Sequence, residues 1–412
     1  MKKKIAFVVI RYGQNINGGA EYHCQMLAER LVSYYDVEVI TTCVKDMASG
    51  DNEYPEGVET MNNVLVRRFN VDPIHPEDER INWRKSKYTR RLRQFLFHLR
   101  LLKFLSFFFP VWRFQQKREI RAMNANVLHS PKMCDFIRDH VSEYKVFIAM
   151  SLDYSSFYYT AIYAGEKTVA IPTLHYSKVS FRSLLTSAIS KVAYVGFNSG
   201  EELKLGERIF GRAMKSYGII SVGIETSGVA NWEEVKKKYQ LPERYLLYVG
   251  RITAVKLYRL LPYFLNYRRV CKDSVLKLVL VGGLTIEKVI NSDVIYTGFI
   301  SDEEKMAILQ HAEIVINPSN GESLSLILLE AMNQGKPMLV NGRCKVLKEH
   351  CYRSNGAAVY YKNKMNFNRR LRKMEKSEML RNEMGEKGKR YVMNNYSWDI
   401  ILNRITNVIE SF

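Results

Sequence analysis

The sequence predicts an α/β protein with two Rossmann-like, doubly wound domains, and two observations support this prediction. At 412 residues the chain is too long for one ordinary hydrophobic core, so two domains are expected. Short aliphatic and β-branched runs also alternate with segments of helical spacing, a pattern typical of parallel strands joined by helices. The runs form two series, each predicting one sheet: 5–10, 37–42, 64–69, 146–150, 168–173 and 192–197, then 245–249, 276–281, 294–296, 314–317 and 337–340.

The two series also set the predicted domain bounds. The first series ends near 218–225, so we predict a first domain at 1–221 and a second at 222–395. An amphipathic stretch, 398–409, predicts a closing helix within a last segment, 396–412. Ligands of open α/β sheets bind outside the carboxyl ends of the strands, so we expect a ligand site in a central cleft that the two domains face.

Composition excludes several classes of protein. A hydrophobic share of 47% and a charged share of 25% are ordinary for a soluble globular protein. The six cysteines form no CxxC motif, which predicts reduced thiols in the cytoplasm. The apolar run 5–10 is too short for a signal peptide, and no apolar run is long enough to cross a membrane. Cys344, His350 and Cys351 lack a fourth ligand, so we predict no metal there.

The strongest local pattern is a pair of carboxylates at the start of a predicted helix. Glu322 lies just outside a helix expected to begin at about Ser323–Leu324, and Glu330 lies about 9 Å further along. The free N–H groups and the dipole at such a helix start favour an anion such as a diphosphate. We hypothesise that one carboxylate binds sugar hydroxyls and the other binds ribose hydroxyls. The alternative is that Glu322 merely favours the helix dipole and that Glu330 is a solvated helix residue.

This pattern resembles the donor-binding signature of family-4 retaining glycosyltransferases, of the type that makes bacterial cell-surface polysaccharides. The shared elements are a Glu, seven residues, Glu-Ala-Met and then Gly-x-Pro. Further segments match in the same order along nearly the whole chain. They are Val222–Glu225 at the domain crossing, Tyr248–Arg251 with Lys256 as a Gly-Arg-x4-Lys element, Gly298-Phe299 as a base-contacting loop, and Tyr396–Trp398 at the start of the returning helix.

The resemblance implies a GT-B fold and transfer of a sugar from a UDP- or GDP-sugar, with the anomeric configuration retained. Two cations beside a diphosphate neutralise the leaving group as its bond to the sugar breaks. No Asp-x-Asp occurs in the chain, so we expect a metal-independent reaction and no cofactor. The resemblance assigns catalytic roles to Glu322, His175, Arg251 and Lys256, and donor contacts to Glu330, Gly18, Gly19, Leu324, Ser325, Gly250 and Phe299.

In the first domain, two segments match the family more weakly. Asn17-Gly18-Gly19 follows the first strand and opens a helix, where glycines permit close backbone approach to an anion. His175 follows the strand 168–173 and corresponds to the family's active-site histidine. Taken alone, both have a purely structural interpretation, since glycine pairs are common at strand-to-helix turns.

The chain departs from the family at three places. Leu324-Ser325 stands where Phe-Gly is usual, and Leu257 follows the clamp lysine in place of glycine. The segment after Pro337 also lacks the usual small residues. We expect these changes to affect donor identity and affinity more than the fold.

A basic, aromatic segment is the other unusual feature. Residues 80–121 carry thirteen Lys and Arg against the single acid Glu119, out of a net charge of +20. An apolar stripe at helical spacing runs through it: Tyr88, Leu92, Phe95, Leu99 and Leu102. We favour recruitment to the anionic cytoplasmic leaflet and a lipid-linked or other glycan acceptor. A core helix with a basic rim is the plain alternative, and nucleic acid is a third that we do not favour.

Two other functions remain as rivals. A non-catalytic GT-B protein that binds a membrane or a partner would explain the Leu324-Ser325 departure as decay. A dinucleotide-dependent oxidoreductase would need a GxGxxG after a strand and an acidic residue about twenty positions further on, and the sequence offers no convincing case.

Overall fold

The computed structural model describes residues 2–14, 16, 18–47, 49–73, 75–126, 128–224 and 228–412. Asn17 and Glu225, which belong to two of the motifs above, lie outside these residues. The chain forms two compact units. The first comprises Met1–Val222 with Ile401–Phe412, and the second comprises Gly223–Ile400.

The first unit contains an eight-stranded sheet in the order β3-β4-β2-β1-β5-β6-β7-β8. Every neighbouring pair is parallel except β3 and β4, so the sheet is not wholly parallel as predicted. The sequence analysis also missed two edge strands, the exposed β3 and the three-residue β8. The strands are β1 Lys4–Val8, β2 Asp36–Thr42, β3 Gly57–Met61, β4 Val64–Phe69, β5 Val146–Met150, β6 Thr168–Ile171, β7 Tyr194–Phe197 and β8 Tyr217–Ile219.

Helices connect most of the consecutive strands of this sheet. They are α1 Gly19–Leu31, α2 Pro76–Lys85, α3 Lys87–His98, α4 Leu102–Leu105, α5 Gln116–Asn124, α6 Pro131–Asp139, α7 Ser155–Ala164, α8 Ser183–Lys191 and α9 Gly200–Ile209. The basic segment is therefore not one long helix. Arg100 and Gln115 have left-handed backbones, with φ of 62° and 61°, which interrupt helical geometry.

The second unit contains a six-stranded, wholly parallel sheet in the order β11-β10-β9-β12-β13-β14. Its strands are β9 Tyr245–Val249, β10 Lys277–Val281, β11 Val294–Gly298, β12 Ile314–Asn317, β13 Met338–Asn341 and β14 Ala358–Tyr361. Its helices are α10 Trp232–Tyr239, α11 Ala254–Leu257, α12 Leu260–Val270, α13 Asp302–His311, α14 Leu326–Asn333, α15 Lys345–Arg353, α16 Lys364–Lys376 and α17 Glu378–Tyr396. Of the strands of this sheet, the sequence analysis missed only β14.

Both sheets have buried central strands, as expected when helices cover the two faces of a parallel sheet. Residues 5–8 of β1 and 246–247 of β9 are fully buried. The parallel strands of each sheet reverse their order, between β1 and β5 in the first unit and between β9 and β12 in the second. Ligands of open α/β sheets bind at such reversals, outside the carboxyl ends of the strands.

The last helix, α18 Trp398–Glu410, returns the chain to the first unit as predicted. Glu410 holds its end there, because its carboxylate accepts hydrogen bonds from Lys3 Nζ at 2.6 Å and from the Tyr35 hydroxyl at 2.8 Å. Among the helices that the structure describes, none is long and apolar enough to cross a bilayer.

Candidate active site

The strand-order reversal of the second sheet brings predicted site residues together. Lys256 lies in α11, which follows β9, and Glu322 lies in the loop that follows β12. The Lys256 ammonium and the Glu322 carboxylate form an ion pair with 2.7 Å between Nζ and Oε1. Arg251 lies exposed in the loop between β9 and α11, and its carbonyl accepts a hydrogen bond from the buried Tyr248 hydroxyl at 2.8 Å. Two cations and a carboxylate therefore stand where a ligand of this sheet is expected.

Three glycine-containing loops cross at the carboxyl ends of β9, β10 and β11. The Gly250 N–H donates to the Val281 carbonyl at 2.9 Å, and the Gly282 N–H donates to the Gly298 carbonyl at 2.9 Å. A Cβ atom on Gly282 would collide with the Gly250 carbonyl, so no larger residue fits there. The sequence analysis used Gly250 and Gly298 but missed Gly282, although a Gly-Gly pair directly after a strand was an available signal. Phe299, after the third loop, is 57% exposed.

The loop that carries Glu322 is held by side chains from the sheet. Asn341, at the end of β13, donates from Nδ2 to the Pro318 carbonyl at 2.9 Å and to Asn320 Oδ1 at 2.8 Å. Asn317 donates to the Ser325 hydroxyl at 2.9 Å. These hydrogen bonds fix the backbone on both sides of Glu322.

The helix after this loop begins later than predicted. The helix α14 starts at Leu326, with Ser325 as its N-cap, because Ser325 adopts a left-handed backbone with φ of 85° that is incompatible with helix. Glycine would tolerate this conformation without strain. Leu324, one residue earlier, is buried.

A buried histidine supports the same loop. His350 Nε2 lies 3.1 Å from the Leu324 carbonyl, and Nδ1 lies 2.9 Å from the Tyr391 hydroxyl. Since a carbonyl oxygen only accepts hydrogen bonds, Nε2 carries the proton and Nδ1 accepts from Tyr391. Burial lowers the pKa of His350 to about 4, so it is neutral at pH 7. The sequence analysis had considered His350 only as a metal ligand and missed this supporting role.

Glu330 occupies the fifth position of α14 and is only 9% exposed, so its interpretation as a solvated helix residue is wrong. Lys305 of α13 lies 3.4 Å from its carboxylate. A nearly buried carboxylate beside a cation can accept hydrogen bonds from ligand hydroxyls. Among the residues that the structure describes, no cluster of three or more acidic, histidine or cysteine side chains could hold a metal.

In the first unit, the glycine pair opens α1 directly after the β1 loop. The first helical residue is Gly19, and Gly18 is the N-cap. A side chain at Gly18 would collide with Glu21, which the buried Arg11 guanidinium holds at 2.5 Å, whereas nothing lies within 4 Å of a Cβ on Gly19. Only Gly19 therefore leaves open space at the helix start, where free N–H groups can meet an anion.

His175 lies exposed in the loop after β6. Glu202, fully buried in α9, accepts a hydrogen bond from the N–H of the preceding Leu174. Thr173 and Ser151, after β6 and β5, have φ of 47° and 64°, and their hydroxyls lie 3.3 Å apart. Strained non-glycine backbone persists only where surrounding contacts impose it. Glu202 and Ser151 were missed because nothing in the local sequence marks a buried loop anchor.

The second unit matches a known family. Residues 231–391 match the model of the family described as "Glycosyl transferases group 1". Along nearly its full length the chain is 26% identical to the "Uncharacterized glycosyltransferase MJ1607" of Methanocaldococcus jannaschii, covering 99% of this chain and 98% of that protein.

Solved structures show the same fold. Sucrose-phosphate synthase from Thermosynechococcus elongatus superimposes with a TM-score of 0.69 at 15% identity, covering 100% of this chain and 99% of that one. Alr3699/HepE of Anabaena, in complex with UDP-glucose, gives a TM-score of 0.67 at 14% identity, covering 99% and 100% of the two chains. The family match of residues 231–391 favours a glycosyltransferase over the non-catalytic alternative. The chain thus has the GT-B fold, and residues 231–391 of its second unit match the glycosyl transferases group 1 family model.

Proposed function

We propose that this protein is a family-4 retaining glycosyltransferase that takes a sugar from a UDP- or GDP-sugar without a metal ion. The observation that carries the proposal is the meeting of Lys256 and Glu322, with Arg251 nearby, at the strand-order reversal of the second sheet. The UDP-glucose complex of the Anabaena protein supports a nucleotide-sugar donor for this fold.

The charges at the carboxyl edge of the second sheet would bind the donor. Arg251 and Lys256 would neutralise the diphosphate, together with free N–H groups at the start of α14. Lys256 would exchange its Glu322 partner for phosphate oxygens, which releases that carboxylate for the sugar hydroxyls. Glu330 would bind the ribose hydroxyls. The crossing glycine loops, with Phe299, would approach the nucleotide.

The proposed transfer needs no protein base. The anomeric C–O bond to the phosphate breaks while the acceptor oxygen bonds to the same face of the anomeric carbon, and the acceptor proton passes to the leaving phosphate. Arg251, Lys256 and the helix N–H groups would stabilise the charge that develops on that phosphate. The resemblance gives His175 a contact with the sugar or the positive charge on it, and gives Gly18 and Gly19 contacts with the phosphates.

The acceptor that we propose is a lipid-linked or other membrane-borne glycan in cell-surface polysaccharide synthesis. The enzyme would work at the cytoplasmic face of the membrane as a peripheral protein. The basic and aromatic character of residues 80–121 supports this location.

A thermal-shift screen against UDP-, GDP- and ADP-sugars tests the proposal. A ligand that binds only the folded state at 100 times its Kd adds about 2.7 kcal/mol, which raises Tm by a few degrees. Glu330→Gln should weaken the binding of the active donor at least tenfold, because a neutral amide replaces the carboxylate acceptor. Glu386→Gln, at an exposed position of α17, should bind the donor like the wild type. The proposal fails if the wild type binds no nucleotide diphosphate sugar.

A further inference from the structure

The helix α3 directs its apolar stripe away from the protein core. Tyr88, Leu92, Phe95 and Leu99 follow one another at spacings of four, three and four residues, so they share one face of the helix, and each is at least 47% exposed. The opposite face carries Thr89, Arg93 and Phe97, which are all buried. The interpretation of this segment as a core helix with a solvated basic rim is therefore wrong, and Leu102, buried beyond the end of α3, does not continue the exposed stripe.

Further large apolar side chains that follow α3 in the sequence are also exposed. Six phenylalanines of this segment are at least 57% exposed: Phe95, Phe104, Phe107, Phe108, Phe109 and Phe114. Large aromatic side chains rarely cluster at the surface of a monomeric protein unless they contact a partner or a membrane. We refer to these phenylalanines, together with Tyr88, Leu92, Leu99 and Leu101, as the aromatic face.

The exposed charged side chains of residues 80–121 are all cations, of which Arg80 pairs with Glu77 and Lys103 pairs with Glu207. The single acid of this segment, Glu119, is fully buried, where its carboxylate accepts hydrogen bonds from the Ser183 hydroxyl at 2.6 Å and the Leu184 N–H at 2.9 Å. The exposed cations of the segment are Arg80, Arg84, Lys85, Arg91, Arg100, Lys103, Arg113, Lys117, Arg118 and Arg121. A partner for this surface must therefore offer negative charge and apolar depth together.

We propose that the aromatic face docks on the surface of an anionic lipid bilayer, with its side chains in the headgroup region and the surrounding cations on the lipid phosphates. A second copy of the chain would bring the same positive surface against itself, which is unfavourable. Single-stranded nucleic acid stacks on aromatic rings, but Leu92, Leu99 and Leu101 provide no flat ring surface and share the face with the phenylalanines. A bilayer accommodates both kinds of side chain.

The aromatic face is attached to the first unit through Arg93. The Arg93 guanidinium, fully buried behind the stripe, donates to the Arg182 carbonyl at 2.7 Å and to the Ile209 carbonyl at 2.9 Å. Membrane contact would therefore orient the first unit as a rigid body. The inference rests on the proposed function in one respect, since a membrane-borne acceptor gives this orientation its use.

Co-sedimentation with vesicles tests the inference. The wild-type chain should pellet with vesicles of phosphatidylglycerol and phosphatidylcholine, should bind pure phosphatidylcholine at least tenfold more weakly, and should be released by high salt. The triple variant Leu92→Gln, Phe95→Gln, Leu99→Gln should bind the anionic vesicles at least tenfold more weakly. The matched control Val270→Gln, Met365→Gln, Met379→Gln removes three exposed apolar side chains from helices of the second unit and should bind like the wild type.

Donor-induced thermal shifts on the same proteins distinguish a failure of the aromatic-face proposal from a failure of the proposed function. If the triple variant loses vesicle binding but keeps the donor-induced thermal shift, the variant is folded and the result supports bilayer docking by the aromatic face. Equal pelleting of wild type and triple variant would overturn the proposal that the aromatic face binds the bilayer, whatever the donor shows. Binding to RNA but not to anionic vesicles would overturn it too. Vesicle binding that depends on the stripe, in a protein that binds no donor, contradicts only the proposed function.

Discussion

Ser325 combines a strained backbone with a hydrogen bond that offsets part of the strain. Its left-handed backbone is strained for any residue but glycine, by about 1–3 kcal/mol. Its hydroxyl accepts a hydrogen bond from the buried Asn317 amide, which offsets part of that strain. The serine at this position of the donor loop is thus held by its own side chain.

We therefore expect Ser325→Ala to be less stable than Ser325→Gly by about 1 kcal/mol or more. Both variants lose the hydrogen bond from Asn317, but only alanine keeps the backbone strain. Urea unfolding midpoints of the two variants measure this difference. A Ser325→Ala protein as stable as Ser325→Gly would show that the backbone here is not strained.

At the scale of the element, α3 depends on one buried cation. Arg93 and Arg91 are two positions apart on the same helix, yet Arg93 is fully buried and Arg91 is exposed. Burial lowers the pKa of Arg93 to about 10, which leaves it charged at pH 7. Its two hydrogen bonds to backbone carbonyls attach the aromatic face to the core.

Arg93→Met should cost about 3 kcal/mol of unfolding free energy, because the Arg182 and Ile209 carbonyls lose their charged donor inside the protein. Arg91→Met should change stability by no more than about 0.5 kcal/mol, since its side chain is solvated. Chemical denaturation of both variants measures the contrast. Similar losses for the two would contradict the assignment of Arg93 as the anchor.

At the scale of the whole molecule, each unit contains a buried histidine whose pKa burial lowers to about 4: His23 in the first unit and His350 in the second. In the unfolded chain a histidine has a pKa near 6.5. The unfolded state therefore binds more protons between these values. The stability that these neutral rings contribute is complete above about pH 6.5 and is lost as the pH falls toward 4.

When the pH falls from 7 to 5, each of these histidines should lower the unfolding free energy of the wild type by about 2 kcal/mol. The variant His350→Asn should thus lose about 2 kcal/mol less than the wild type over the same range, whatever its stability at pH 7. Urea titrations at several pH values test this, and a parallel pH dependence for His350→Asn would contradict the expectation.

Local pattern was sufficient for most of the fold and part of the candidate site. Parallel strands buried on both faces leave continuous apolar runs, so each of the eleven runs overlaps a strand of the structure. The strands that were missed, β3, β8 and β14, are short edge strands whose burial is incomplete. Arg251, Lys256 and Glu322 could be named from their motif, and the strand-order reversal explains why residues 66 positions apart form an ion pair.

The sequence by itself determined two doubly wound units, the motif residues at the carboxyl edge of the second sheet and a strongly basic, aromatic segment. Only the tertiary structure decided that the stripe of α3 faces outward, that Arg93 and not Arg91 is buried, and that Ser325 is left-handed. The physical reason is that periodicity identifies residues sharing one face but not the direction of that face. Backbone dihedrals and burial depend on neighbours such as Asn317, whose hydrogen bond to Ser325 no local sequence pattern identifies.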